Sequence, residues 1–148
     1  MAGQTSDVRA GGSTAPLVLA ADDNAADRRL LELAFADLGE PYRLHTVADG
    51  HEALAFLNDA AADRPHLILL DLNMPRLSGL ELLATIKADE RLRTIPTIVL
   101  TTSAAPADRQ AAYERHANAF FRKPVDLDDF FAAIRHLYDF WFVRAELA

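Results

Sequence analysis

From Leu17 onward the chain alternates short apolar runs with longer stretches whose apolar residues recur at helical spacing. The runs are LVLAA (17–21), YRLHTV (42–47), HLILL (66–70), TIVLT (97–101) and NAFF (118–121). Each has strand length and is bounded by polar or turn-forming residues. After the first, Leu30, Leu31, Ala34, Phe35 and Leu38 fall on one face at the helical repeat and predict an amphipathic helix. Repeated strand and helix imply right-handed crossovers, hence an α/β fold: a doubly wound, five-stranded parallel sheet with helices on both faces. LILL and TIVL suit strands covered on both sides, whereas YRLHTV alternates polar with apolar residues as an edge strand does.

The residues ahead of Leu17 have no such pattern. Residues 1–15 are rich in Gly, Ser, Thr and Ala and run up to Pro16, so they read as a mobile leader to one domain over 16–148. A chain of 148 residues buries enough surface to fold without staples. The absence of cysteine excludes disulfides and thiolate metal sites. A formal net charge of -7 opposes general binding to nucleic acid and favours a protein partner. No apolar stretch is long enough to span a bilayer, and the N-terminus lacks a signal-peptide core, so a soluble, cytoplasmic protein without membrane contact is expected.

In an open parallel sheet the functional crevice lies beyond the carboxyl ends of the strands. Asp22 and Asp23 follow the first predicted strand, Asp71 follows the third, Thr101 and Thr102 end the fourth, and Arg122 and Lys123 follow the fifth. A single Asp in such a place is usually a turn residue or helix cap. Three carboxylates in one crevice repel each other and call for a cation. An oxygen-only donor set selects a hard ion such as Mg²⁺. Asp71, fixed by the turn LNMP after it, is the candidate nucleophile for an aspartyl phosphate. Lys123 and the Thr101 hydroxyl would then neutralise the phosphoryl oxygens opposite the metal.

The stretch DLNMPRLSG (71–79) matches the signature Asp-x-x-Met-Pro-x-x-x-Gly, preceded by DD at 22–23 and followed in order by Thr101 ending a strand and KP at 123–124. On these residues the chain resembles, over roughly 17–140, the receiver domains of two-component response regulators. The intervals from Asp71 to Thr101 and Lys123 fit the family without insertion. The resemblance implies a flavodoxin-like strand order of 2-1-3-4-5 and phosphoryl transfer to Asp71 from a sensor histidine kinase. It also implies Mg²⁺, or Mn²⁺ in its place, bound by Asp22, Asp23, Asp71 and the backbone carbonyl of Asn73. The product is a switched conformation with slow self-dephosphorylation, so the chain is expected to be a signalling phosphoacceptor and not an enzyme. Further implications are a cis Lys123–Pro124 bond and a switch in which Phe120 turns inward as Thr101 engages the phosphoryl group. A strand Phe is more often simply core. Thr102 is bulkier than the Ala or Gly common at its position and would restrict either the inward movement of Phe120 or access to the phosphoryl group. Asn73 and Ser103 stand where the family tunes phosphoryl lifetime.

The last predicted helix begins at Asp126, a natural N-cap, and places Leu127, Phe130, Phe131, Ile134, Leu137, Tyr138, Trp141 and Phe142 on one stripe. Phe140 and Val143 project away from it. Such an aromatic end either marks an interface or folds back on its own domain. It also resembles the small free-standing receivers that pair with bacterial phytochrome kinases. That likeness implies a bacteriophytochrome partner and a two-fold homodimer through the fourth helix, fifth strand and fifth helix, with Tyr138, Phe140, Trp141, Phe142 and Val143 at the interface. His45, His51, His66, His116 and His136 share no spacing and read as solvated or capping residues.

Three rival readings fit less well. An aspartate-nucleophile phosphatase of the dehalogenase type expects a second Asp where Asn73 stands. A flavodoxin-like cofactor binder expects a phosphate-binding loop where DDNAAD stands. An unphosphorylated receiver-like binding module would have lost one of the key positions, and none is lost.

Overall fold

The computed structural model describes residues 6–10 and 14–148. Its strands are β1 (Ser6–Ala10), β2 (Leu17–Ala21), β3 (Tyr42–Val47), β4 (Leu67–Leu70), β5 (Thr97–Thr101) and β6 (Ala119–Arg122). Its helices are α1 (Ala25–Ala36), α2 (Gly50–Leu57), α3 (Gly79–Ala88), α4 (Pro106–Glu114) and α5 (Leu127–Tyr138), the last continuing into a π-helical turn at Asp139–Arg144. The sheet order is β1-β3-β2-β4-β5-β6. Leaving β1 aside, the other five strands are parallel in the expected order 2-1-3-4-5.

The first strand corrects two expectations. Ser6–Ala10 pairs antiparallel with β3, Ser6 opposite Thr46 and Ala10 opposite Tyr42. This part of the supposed mobile leader is therefore a strand, and YRLHTV is not the edge. The reason is backbone chemistry: an uncovered β3 would present a row of unpaired amides and carbonyls, which a short neighbouring segment satisfies whatever its side chains. The remainder of the leader, 1–5 and 11–13, lies outside the described residues.

Alternate residues of each central strand enter two different cores, as a period of two requires. Leu19, Ile68, Leu70 and Val99 pack with Leu82, Leu83 and Ile86 of α3 and Ala53 of α2. Val18, Leu67, Leu69, Ile98 and Leu100 pack with Phe35 of α1 and Phe130, Ile134 and Leu137 of α5. With β4 covered on both faces, Asp71 follows directly on a strand that has almost no freedom to shift.

The helices start where the strands deliver the chain to the carboxyl edge. Asn24, Asp49, Ser78 and Asp126 each accept a backbone N–H of the first turn, from Asp27, Glu52, Glu81 and Asp129 respectively. Ser78 and Glu81 form a reciprocal capping box. Pro106 opens α4, where a missing N–H does no harm. Asp126 caps α5 as its position suggests.

Candidate phosphoacceptor site

The acids are placed by extensions of the strand ladder. Asp22 N–H donates to the Val47 carbonyl at 3.1 Å, and Asp71 N–H donates to the Ala21 carbonyl at 3.0 Å. Both residues are buried, whereas Asp23 is exposed. Asp22 Oδ1 accepts the Asn24 N–H at 2.9 Å, and Asp71 Oδ1 accepts the Asn73 N–H at 3.3 Å. Buried Arg28 of α1 donates from Nη1 to the Asp22 carbonyl at 2.7 Å, pinning the turn from below.

Lys123 reaches the same place from β6. Its N–H donates to the Thr101 carbonyl at 2.7 Å, and its Nζ donates to Asp22 Oδ2 at 2.6 Å, Asp27 Oδ2 at 3.0 Å and Asp71 Oδ2 at 3.1 Å. Every ammonium donor thus meets a carboxylate. Burial and the charge of Asp71 raise the Asp22 carboxyl above its ordinary range, against the pull of Lys123 and the Asn24 amide. Burial draws the Lys123 ammonium down, but the hydrogen bond and charge of Asp22, with Asp71 and Asp27, outweigh it and leave it well above an ordinary lysine. The Asp22 shift is chiefly one of burial, while that of Lys123 expresses an imbalance: the crevice holds more carboxylates than cations.

A divalent ion would correct that imbalance, and the donor set fits one. One oxygen each from Asp22, Asp23 and Asp71 lie within 4.8 Å of one another. Ligand oxygens about 2.1 Å from an octahedral Mg²⁺ stand roughly 3 to 4 Å apart, so little closure is needed. The set is all oxygen, as hard ions such as Mg²⁺ and Mn²⁺ prefer.

Thr101 is fully buried, and its Oγ1 accepts the Ser103 N–H at 3.3 Å. Thr102 is exposed. Phe120 is half-buried against the core under α4, and its N–H donates to the Tyr113 hydroxyl at 3.1 Å. The expected cis bond is absent: no peptide bond among the described residues is cis, so Lys123–Pro124 is trans. Trans is the favoured isomer of X–Pro bonds by about 0.5–1 kcal/mol.

Two features escaped the sequence reading. Asp27 lies one helical turn beyond Asp23, and a reading confined to strand ends passes over it. The Asn24 cap was its signal, because a capped first turn fixes which face Asp27 occupies. Arg76, in the left-handed region at φ 63°, pairs with Asp49 at the start of α2. That pair ties the loop after Asp71 to the loop after β3. At the far end of the chain, Tyr138 is core and not interface. Its hydroxyl donates to the Pro41 carbonyl at 2.7 Å, and its ring meets Phe142 edge-on at 5.2 Å. Trp141 and Phe142 pack partly on the α1 and α5 core, while Phe140 and Val143 are 56% and 61% exposed. None of the five histidines joins the acid cluster; His45 stacks on Phe56 and His66 bonds to Leu17.

A doubly wound parallel sheet with an acidic pocket, a buried strand-end hydroxyl and a lysine just after the last strand defines a receiver-type phosphoacceptor. Residues 18–135 match the response regulator receiver domain, and the chain belongs to that family. As a receiver it is a signalling phosphoacceptor and not a classical enzyme. It is 38% identical over 129 residues to response regulator Rcp1 of Synechocystis sp. strain PCC 6803, covering 84% of this chain and 88% of that one. The phosphorylated cyanobacterial phytochrome response regulator RcpA superposes with a TM-score of 0.86 at 39% identity, over 90% of this chain and 99% of that one. The Mn²⁺-bound form of Rcp1 does so with a TM-score of 0.82 at 36% identity, over 90% and 99%. No helix among the described residues is long and apolar enough to cross a membrane.

Proposed function

We propose that Asp71 accepts a phosphoryl group from the phosphohistidine of a sensor kinase, and that the altered receiver is then read by a protein partner. The observation that carries this is the convergence of Asp22, Asp23, Asp71 and Lys123 at the end of one buried strand. In the transfer a carboxylate oxygen of Asp71 forms a bond to phosphorus, and the phosphorus–nitrogen bond breaks with its electron pair returning to the imidazole. Mg²⁺, or Mn²⁺, would be held by Asp22, Asp23, Asp71 and the Asn73 carbonyl, and would supply the positive charge that two approaching anions need. Lys123 donates to a phosphoryl oxygen, and the Thr101 hydroxyl, which only accepts in its local bond with Ser103, donates its proton to another. Phe120, on β6 beside the strand that ends at Thr101, follows Thr101 inward as the switch.

The likeness to the phytochrome response regulator RcpA supports a bacteriophytochrome as the kinase, and the cytoplasm is the setting this reading takes. A homodimer through α4, β6 and α5 belongs to the same reading, with exposed Phe140 and Val143 as its apolar contacts. The test is intact mass after incubation with acetyl phosphate, with and without Mg²⁺, for wild type and Asp71→Asn. A Mg²⁺-dependent gain of one phosphoryl group that the variant lacks is expected. No gain in the wild type would leave a binding module without phosphoryl chemistry.

A further inference from the structure

The pocket contains one carboxylate that neither the metal set nor the phosphoacceptor role uses. Asp27 belongs to the first turn of α1, where Asn24 Oδ1 accepts its N–H at 3.0 Å and fixes its backbone. An acid in a first turn is favoured by the helix dipole alone and needs no lysine. Here its Oδ2 nevertheless accepts from Lys123 Nζ at 3.0 Å, as close as Asp71 Oδ2 at 3.1 Å.

An ammonium has three donors, and those of Lys123 are taken by Asp22, Asp27 and Asp71. A phosphoryl oxygen can therefore be served only if one carboxylate gives up its bond. The Asp22 side chain is 4% exposed and holds the shortest contact, so water cannot replace Lys123 there. Asp71 carries the incoming group. The Asp27 side chain is 36% exposed and can be rehydrated as it lets go.

We propose that Asp27 is a positioning residue for phosphoryl transfer, holding the Lys123 ammonium between α1 and Asp71 and competing with the phosphoryl group for its third donor. The inference rests on the receiver reading above. It has a two-sided consequence. The Asp27 charge attracts the metal, and both that charge and its grip on Lys123 work against the phosphoryl group.

The test compares wild type, Asp27→Ala and Asp27→Asn in two titrations: Mg²⁺ alone by calorimetry, and beryllofluoride, a phosphoryl mimic, by ¹⁹F NMR in saturating Mg²⁺. In both variants Mg²⁺ is expected to bind about three- to tenfold more weakly and beryllofluoride more tightly by a similar factor, the range for one charge across a partly solvated gap. A purely structural role in α1 would weaken both ligands together, and that result overturns the proposal, as do variants within twofold of wild type in both titrations. A wild type that binds Mg²⁺ but no beryllofluoride would overturn the phosphoacceptor reading and this proposal with it, whereas failure of the variants alone leaves that reading standing.

Discussion

The backbone of Gly79 lies directly against that of Asp71: a Cβ on Gly79 would stand 2.1 Å from the Asp71 carbonyl oxygen and 2.5 Å from the Leu72 Cα. The Gly79 N–H also donates to the Leu72 carbonyl at 2.9 Å. The start of α3 and the end of β4 thus form one unit, and the final residue of the motif DLNMPRLSG is explained by close approach.

Gly79→Ala tests this contact. Alanine is better than glycine inside a helix by about 1 kcal/mol, but here the clash is with backbone that cannot rotate away. A net loss of roughly 1–3 kcal/mol is expected in urea unfolding, together with slower phosphoryl uptake. A variant as stable and as reactive as wild type would show that the loop yields.

Lys123→Met leaves Asp22 and Asp71 buried without their cation. In chelator the variant is expected to lose about 3 kcal/mol, the lower end for breaking a buried ion pair, because Asp22 can take up a proton. Mg²⁺ at one fixed concentration, about a hundredfold over the wild-type Kd, stabilises wild type by roughly 2.7 kcal/mol and stabilises the variant by more, because no ammonium competes with the ion for its carboxylates. Thermal unfolding with and without Mg²⁺ should show a larger metal-induced rise in Tm for the variant than for wild type. Equal rises would mean that Lys123 and the metal do not share a charge-balancing role.

His66 provides a pH test away from the pocket. Its Nδ1 accepts the Leu17 N–H at 3.0 Å, so the neutral ring is the one that fits. Partial burial, then the charge of Arg43, lower its pKa from the model-peptide value of 6.5, with Asp63 acting the other way. The unfolded chain binds more protons between the two values, so this stabilisation is complete above about pH 6.5 and is lost as pH falls toward the folded value. Urea midpoints measured from pH 7.5 to 5.5 should fall more steeply for wild type than for His66→Gln. Parallel slopes would remove His66 from the pH response.

The proposed dimer face is reached by Phe140→Ser combined with Val143→Ser. Both positions are exposed, so the fold should keep its Tm within a few degrees while light scattering on a sizing column shifts from dimer to monomer. Tyr138→Phe is the contrast. It removes the hydroxyl that bonds to Pro41 and should lower stability by about 1 kcal/mol without changing the oligomeric state.

The five parallel strands were legible because each is a short apolar run, buried in the first four and half-buried in β6, flanked by a helix whose apolar phase differs from its own. Asp22, Asp23, Asp71, Thr101 and Lys123 were legible because strand order brings strand ends together, and pairing register then leaves them little choice of place. β1 was not, since a five-residue strand held by backbone bonds leaves almost no side-chain pattern among Gly and Ser. Asp27 required the phase of α1, which depends on where Asn24 caps it. Tyr138 fell on a stripe compatible with core or interface, and only its depth beside Pro41 separates the two.

The antiparallel direction of β1 has a practical consequence for labelling. Ser6 lies opposite Thr46, beside the carboxyl end of β3, on the side of the sheet that carries Asp71. Leu147 and Ala148 instead line a cavity with Arg64, Pro65, His66, Thr94, Ile95 and Pro96, where β4 and β5 begin. A fluorophore or affinity handle coupled ahead of Ser6 starts at the rim a kinase must approach, whereas one coupled after Ala148 starts at the opposite end and leaves that rim clear.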